Sequence, residues 1–412
     1  MSNTTLTASV VAKAALAILE NEMGALKTFH RAYEDEWGDK INGYKIGSSL
    51  TIRRPPDFTV RTGATLSTQD VSEGYTTLTI NQQIGIDFQF TSQELTLQVS
   101  EMAERIMRPA MVNLISYMIN DCTTVLKNGT YHWVGTPGTT LTTFAGFAKA
   151  MRRMDDMAVP QSDRTALLGP GDFWGLTGAQ TALYMQDVAK TAYRQGELGN
   201  LGGVSTQMSQ FVPTHTVGAL GGTPAVNGAN QNVTYAASMN TWTQSLITNG
   251  WTASVTGLLN VGDVFTIANV HSVNPLTKVS TGALQQFVVT AAANSDISGN
   301  ATLTISPPII SSGVRQTVDN VPGSTAAITV LGTAATGYAN NLVYHKNAFA
   351  LAVVPMEMPQ AAYGGARESY KGLSVRVIPI YDGTNDISKW RLDLLYGRSL
   401  IDPRMSVRLS GT

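Results

Sequence analysis

A long block with almost no charge constrains the fold of this chain more than any other feature. Residues 222–340 contain only five charged side chains, which are Asp263, Lys278, Asp296, Arg315 and Asp319. Short runs rich in Val, Ile and Thr recur there about every ten residues, with turn-forming residues between them. Such a pattern is typical of a small sandwich or barrel. We therefore predict an all-β domain over 222–340, with strands at 232–235, 264–270, 285–289, 302–305 and 328–331.

The segments on either side mix helix and strand patterns, which predicts an α+β chain. A capping box at Thr91–Glu94 and an apolar stripe that runs on to Val125 predict a long helix over 92–127, kinked at Pro109. Apolar periodicity predicts an N-terminal helix over 8–23 and another helix around Phe147. Alternation predicts strands at 45–55, 75–90, 165–168, 342–345, 349–354, 373–381, 390–396 and 405–409.

The stretch between the first two predicted strands is a long polar excursion rather than a tight hairpin turn. Long loops inside compact domains usually serve a function or a partner. The excursion and its ends carry five charged residues, which are Arg53, Arg54, Arg61, Asp70 and Glu73. The sequence leaves two readings open: a solvated loop, or a loop that pairs with a neighbouring subunit. We name these five residues as the candidate intersubunit interface.

Composition excludes several classes of protein. Only 14% of the residues are charged, well below the ~25% of an average soluble domain, and the net charge is −1. Such a chain has no global basic field with which to bind nucleic acid tightly. The single cysteine, Cys122, cannot form an intrachain disulfide. No signal peptide and no apolar run of about 18 residues is visible, so we expect the protein to be made and used in the cytoplasm.

Motifs for chemistry are missing from the sequence. The five histidines have no second ligand at metal-binding spacing, and no nucleophile elbow occurs. The glycine-rich stretch Gly196–Gly203 matches neither phosphate-loop pattern, so we interpret it as a loop that needs positive φ angles. Asp382, Asp386 and Asp393 are interpreted as turn and hairpin residues rather than calcium ligands. We therefore predict no enzyme activity, no metal and no cofactor.

Several segments, taken in order, resemble one family. They are Gly47–Pro56 at the excursion, Ile86–Leu97 before the long helix, Val134–Thr139 after it, Gly196–Gly203, Gly262–Ile267 with Thr302–Pro308 in the β block, and Arg391–Gly397 with Pro403–Leu409 at the end. Together they are similar to the coat proteins of short-tailed bacteriophages. Each motif alone is weak, but their order and spacing over nearly the whole chain are fairly specific.

The resemblance implies the HK97-type phage capsid fold with an inserted β-barrel domain. It implies a major capsid protein that self-assembles, guided by a scaffold, into an icosahedral head around double-stranded DNA and expands on maturation. The partners it implies are further copies in hexamers and pentamers, scaffolding and portal proteins, packaged DNA bound without sequence specificity, and in some virions a decoration protein.

The same resemblance implies a division of the chain into domains. They are an N-terminal arm over 1–39, an extended loop with flanking strands over 40–90, a peripheral domain with a spine helix over 91–141, an axial domain over 142–221 and 341–390, the inserted domain over 222–340, and closing peripheral strands over 391–412.

Three alternatives remain at the level of sequence. An encapsulin-like compartment shell would share the fold but lack the inserted domain. A β-rich adhesin or carbohydrate-binding protein would use residues 222–340 and remain a monomer. An unrecognised enzyme is disfavoured because no acid, base, nucleophile or metal constellation is visible.

Overall fold

The computed structural model describes most of the chain and divides it into two compact units. The described residues are 12, 13, 15, 24–37, 47–58, 60–66, 68, 71–91, 108–181, 198–359, 364–370 and 373–411. The first unit comprises residues 1–51, 77–122 and 349–399, and the second comprises 52–76, 123–348 and 400–412. No helix in these described ranges is long and apolar enough to cross a membrane.

A six-stranded sheet organises the first unit. Its strands are β1 (Ser49–Arg53), β2 (Tyr75–Thr91), β16 (Phe349–Val354), β17 (Ala366–Tyr370), β18 (Leu373–Asp382) and β19 (Ile387–Leu400). They run in the order β1-β2-β19-β18-β17, and β16 also pairs with β19. The long antiparallel ladder between β2 and β19 extends from Thr91 opposite Ile387 to Ile80 opposite Gly397. The predicted pair of strands joined by an excursion is therefore confirmed.

The helix α1 (Arg108–Gly129) follows the predicted apolar stripe. Met111, Ile115, Met118 and Cys122 are buried at the spacing of one helix face. Pro109 lies beside Arg108, the first residue of this helix that the structure describes. The predicted capping box at 91–94 and the first half of the predicted helix lie outside the described residues, as does most of the N-terminal helix.

A second six-stranded sheet, mixed in direction, forms one part of the second unit. It consists of β3 (His132–Val134), β4 (Arg164–Leu168), β5 (Asn200–Leu201), β6 (Val204–Met208), β15 (Asn341–His345) and β20 (Ser406–Leu409), in the order β3-β20-β15-β4-β6-β5. The helices α2 (Phe144–Asp156) and α3 (Pro170–Thr181) contribute to its core. Phe147, Met154 and Leu176 from these helices are buried there with Val343 and Leu409 from the sheet.

The charge-poor block contains a six-stranded antiparallel sheet. Its strands are β8 (Gly222–Val226), β9 (Gln244–Trp251), β10 (Val264–Val273), β11 (Ser280–Val289), β12 (Ala301–Ser306) and β13 (Ile328–Val330), in the order β13-β10-β11-β12-β9-β8. Val226, at the end of β8, is hydrogen-bonded to the segment just before β13: its N–H donates to Ala326 O at 2.9 Å and its carbonyl accepts from Thr325 N–H at 2.9 Å. The interior is filled by buried apolar side chains, among them Phe265, Phe287 and Leu303.

The block joins the rest of the second unit through two neighbouring strands. β7 (Thr214–Thr216) enters it and β14 (Gly337–Ala339) leaves it. These strands pair antiparallel, with His215 opposite Tyr338. We call this two-stranded ladder the neck.

Some predicted details are wrong. The run at 232–235 is not a strand but a loop that leads into the short helix α4 (Tyr235–Ser238). The sequence patterns also gave no sign of β3, of the strands between residues 200 and 216, or of β8, β9, β14 and β17. The glycine-rich stretch does form a loop where the structure describes it, since Gly202 and Gly203 turn the hairpin between β5 and β6 with φ angles of 58° and 82°.

Candidate functional site

Three of the five candidate interface residues are exposed at the excursion. Arg53 Nη1 lies 3.2 Å from Glu73 Oε2, and this ion pair closes the two sides of the excursion at the surface. Arg61 donates from Nη1 to Gly63 O and to Thr65 O, so it braces the turn at the tip. Asp70 lies outside the described residues. An exposed ion pair of this kind contributes little stability.

Arg54, the remaining candidate, is bound by contacts within the second unit. Its Nη2 donates to Thr76 Oγ1 at 2.7 Å and its Nε donates to Ile401 O at 3.2 Å. The guanidinium also lies over the ring of Trp242, with Cζ 5.7 Å from the ring centroid. Burial lowers the pKa of Arg54, which nearby Asp402 partly opposes. Arg54 therefore holds the base of the excursion against its own chain.

A second arginine, from the charge-poor block, also contacts the base of the excursion. Arg315 is only 6% exposed, and its Nε forms an ion pair with Asp57 Oδ2 at 2.9 Å. Its Nη2 donates to Pro55 O. The guanidinium stacks on Tyr235, with Cζ 5.6 Å from the ring centroid. We call Arg54, Asp57, Tyr235, Trp242 and Arg315 the clamp.

The returning side of the excursion meets the same residues. Gly74 N–H donates to Tyr235 Oη at 3.2 Å. A Cβ atom on Gly74 would lie only 2.4 Å from Met239 O, so the close approach requires glycine at this position. Both sides of the excursion are thus fixed where they leave the sheet.

The tip beyond the clamp exposes apolar side chains. Phe58 is 59% exposed, Val60 93% and Leu66 79%. Several large apolar side chains exposed on one loop are more typical of an interaction surface than of an ordinary solvated loop. The clamp and the tip therefore divide the excursion into a fixed base and an accessible end.

Sequence reasoning found the excursion but missed four members of the clamp, which are Asp57, Tyr235, Trp242 and Arg315. A signal for Arg315 was present, because an arginine in a block with five charged residues usually has a specific partner. Nothing in the sequence pairs Arg54 with Trp242, since the two lie far apart along the chain.

The arrangement offers no acid–base or metal chemistry among the residues that the structure describes. No group of three or more His, Cys, Asp or Glu that could hold a metal ion occurs there. The carboxylates once weighed as calcium ligands have other partners: Asp393 is buried against Arg376 at 2.5 Å, and Asp382 pairs with Lys389 at 3.3 Å. The interpretation of Asp382 as a turn residue fits these contacts.

Comparison with known proteins identifies the family. The family model described as P22 coat protein, gene protein 5, matches residues 38–411. The chain belongs to the P22 coat protein family. A coat protein of this family is a major capsid protein, a structural component of the phage virion rather than an enzyme. No curated protein matches the chain.

Solved phage structures resemble this coat protein at low sequence identity. A chain from Mycobacterium phage Che8 is 12% identical with a TM-score of 0.48, and the match covers 94% of this chain and 91% of that one. The capsid of cyanophage P-SCSP1u is 10% identical with a TM-score of 0.46, covering 89% and 84%. The I-domain of the CUS-3 coat protein is 30% identical with a TM-score of 0.20, covering 27% of this chain and 96% of that domain.

Proposed function

We propose that this coat protein assembles, guided by a scaffolding protein, into hexamers and pentamers of an icosahedral head that expands as double-stranded DNA is packaged. The observation that carries the proposal is the family match over residues 38–411. The proposed partners beyond further copies are scaffolding and portal proteins, DNA bound without sequence specificity, and a decoration protein. Assembly takes place in the host cytoplasm. The low charge of the chain suits a wall that faces DNA without neutralising its phosphates.

The proposed architecture is the HK97-type fold with residues 222–340 as an inserted β-barrel domain. The neck supports the insertion, because a domain that enters and leaves through paired neighbouring strands can interrupt a parent fold without distorting it. The hydrogen bonds between Val226 and the segment 325–326 support the barrel, because they link the first strand of the sheet to the residues just before the last strand. The arm, spine helix, peripheral and axial domains keep the boundaries given above as part of this proposal.

The excursion is the proposed intersubunit contact. Its base is fixed within its own chain by the clamp, so the clamp sets the direction in which the tip projects. The tip then meets a neighbouring copy with Phe58, Val60 and Leu66, while the exposed charges of Arg53, Arg61 and Glu73 border this apolar contact. Burial of apolar area is the general driving force for such association.

A substitution at the tip tests this contact. Val60→Asp places a carboxylate on a side chain that is 93% exposed, so it leaves the free subunit folded and blocks closure of shells. The matched control is Ile297→Asp, the same type of change at an apolar side chain that is 87% exposed on the charge-poor block. Negative-stain microscopy and light scattering should find shells for the control and free subunits for Val60→Asp. Shells of normal yield from Val60→Asp would refute the tip contact.

The wider proposal is tested by expressing the chain with and without its scaffolding partner. Closed, uniform shells that form only with that partner would support scaffold-guided assembly. A monodisperse monomer under every condition would overturn the proposed assembly pathway, whatever the tip variants do.

A further inference from the structure

A small cavity lies beside the clamp, inside the second unit. Its volume is about 20 Å³, and it is lined by Asp57, Trp242, Lys278, Arg315 and Arg404, together with uncharged neighbours. A cavity of ~10–15 Å³ suffices for one water molecule, so this cavity has room for a single water-sized species. It borders three separate stretches of chain: the excursion, the charge-poor block and the closing segment.

Positive charge exceeds negative charge around this cavity. Three cations line it against one carboxylate, Asp57. Arg315 pairs with that carboxylate at 2.9 Å, and Arg404 binds Asp402 through Nη2 at 2.7 Å. Lys278 Nζ donates to Pro275 O and to Val314 O, both uncharged acceptors.

Arg54, which lies over the ring of Trp242, adds a further cation close to this residue. Within the described part of the chain, neither Lys278 nor Arg54 has a carboxylate within ion-pair distance. Burial lowers the pKa of Lys278, and Arg315 and Arg404 lower it further against the opposing effect of Asp57. The surroundings therefore disfavour the charged forms of Lys278 and Arg54. An additional negative charge nearby would lower the free energy of these charged forms.

Trp242, which lines the same cavity, carries an unused hydrogen-bond donor. Trp242 is 6% exposed, and its indole Nε1–H is buried with no hydrogen-bond partner among the described residues. An indole N–H can only donate, so it needs an acceptor. Buried donors without an acceptor are rare in folded proteins because each one costs stability.

We propose that the cavity binds a monatomic anion of the size of chloride. The anion accepts the hydrogen bond of Trp242 Nε1–H and offsets the surplus positive charge of Lys278, which, beside the two paired arginines, has no carboxylate partner among the described residues. Water could accept the same hydrogen bond but could not offset the charge. Phosphate and sulfate exceed the volume of the cavity. Because this site touches the clamp, its occupancy stabilises the base of the excursion, and the site exists whether or not the tip meets a neighbour.

Bromide locates the site directly. Crystals of the unassembled full chain grown in sodium bromide would be measured at the bromine absorption edge. The expected result is an anomalous peak in the cavity within hydrogen-bond distance of Trp242 Nε1. Ordinary water density there with no anomalous peak would overturn the proposal.

Thermal unfolding supplies an independent test. Melting temperatures of the full chain would be compared in sodium chloride and in sodium gluconate at equal ionic strength, since gluconate is too large for the cavity. We expect a saturable rise of about 2 °C or more in chloride, as for any ligand that binds only the folded state. No difference between the two salts would refute the site.

The variants separate this site from general salt effects. Trp242→Phe keeps an aromatic ring beneath Arg54 but removes the N–H, and it should lose the chloride-dependent rise. The matched control is Trp251→Phe in the core of the charge-poor block, where the indole N–H bonds Thr248 Oγ1 at 2.8 Å. The control should melt lower in both salts and keep the rise. Lys278→Met, at a half-buried side chain, is a second variant that should lose the chloride-dependent rise in melting temperature. An undiminished rise in both Trp242→Phe and Lys278→Met would contradict the proposal.

Discussion

The side chain of Gln286 should act as a substitute strand partner, and its removal should destabilise the second unit. Trp133 N–H donates to Gln286 Oε1 at 2.8 Å, and Gln286 Nε2 donates to Trp133 O at 2.7 Å. The amide therefore pairs with both backbone groups on the free edge of β3, as a neighbouring strand would. Through this pair β11 of the charge-poor block is joined to the mixed sheet.

The size of the destabilisation follows from the two backbone groups of Trp133 that lose their partner in Gln286→Leu. Trp133 is 2% exposed, so its N–H and C=O would both remain buried without partners. Each such group costs about 1–3 kcal/mol. Water can reach part of a sheet edge once the amide is gone. We therefore expect the free energy of unfolding to fall by an amount near the lower end of the range for two such groups, about 2–3 kcal/mol.

Urea denaturation of the unassembled chain measures this loss as a lower transition midpoint. The matched control is Gln207→Leu on β6, a half-buried strand glutamine, for which we expect a change within about 0.5 kcal/mol. Gln286→Glu keeps the acceptor for Trp133 N–H but loses the donor, so it should fall between the wild type and Gln286→Leu. Hydrogen exchange gives a local readout, since the Trp133 amide should lose protection only in the leucine variant. Equal midpoints for the two leucine variants, with that amide still protected, would refute the reasoning.

Three further predictions concern glycines and one buried lysine. Gly85→Ala should lower the urea midpoint by about 1–3 kcal/mol, because the new Cβ would lie 2.8 Å from Asp393 Oδ1 across the ladder of β2 and β19. Gly178→Ala, inside α3 with no atom within 4 Å of the new Cβ, should instead stabilise the chain by up to about 1 kcal/mol in the same assay. Burial and the nearby charge of Arg408 lower the pKa of Lys127 from 10.5 to about 8, so between these pH values the folded chain binds fewer protons than the unfolded chain. The free energy of unfolding should therefore rise with pH across that window; Lys127→Met should lose this rise, and parallel pH profiles would contradict the prediction.

Local patterns predicted most strands because a half-buried strand shows its alternation directly in the sequence. The predicted strand at 349–354 matches β16, and the one at 373–381 matches β18 to within a residue. No strand forms at 232–235, where Tyr235 is instead part of the clamp. Tyr235 begins a short helix and binds the excursion, a tertiary role that alternation cannot reveal.

Buried polar contacts were beyond the reach of sequence patterns. Arg153, on α2, is only 7% exposed. Its Nε donates to His132 Nδ1 at 3.0 Å and its Nη1 donates to Ser272 Oγ at 3.0 Å. A sequence pattern assigns an arginine to the surface because burying its charge costs free energy. The hydrogen-bond partners that offset this cost come together only in the tertiary structure.

The neck also makes the charge-poor block a module that evolution and engineering can exchange. Because Thr214 stands opposite Ala339, the two ends of the block leave the parent fold side by side, and a short turn could close the gap if the block were deleted. A foreign domain whose termini lie equally close could be grafted at the same point. Such a replacement would still have to supply the aromatic platform under Arg54, or the excursion would lose its anchor along with the block.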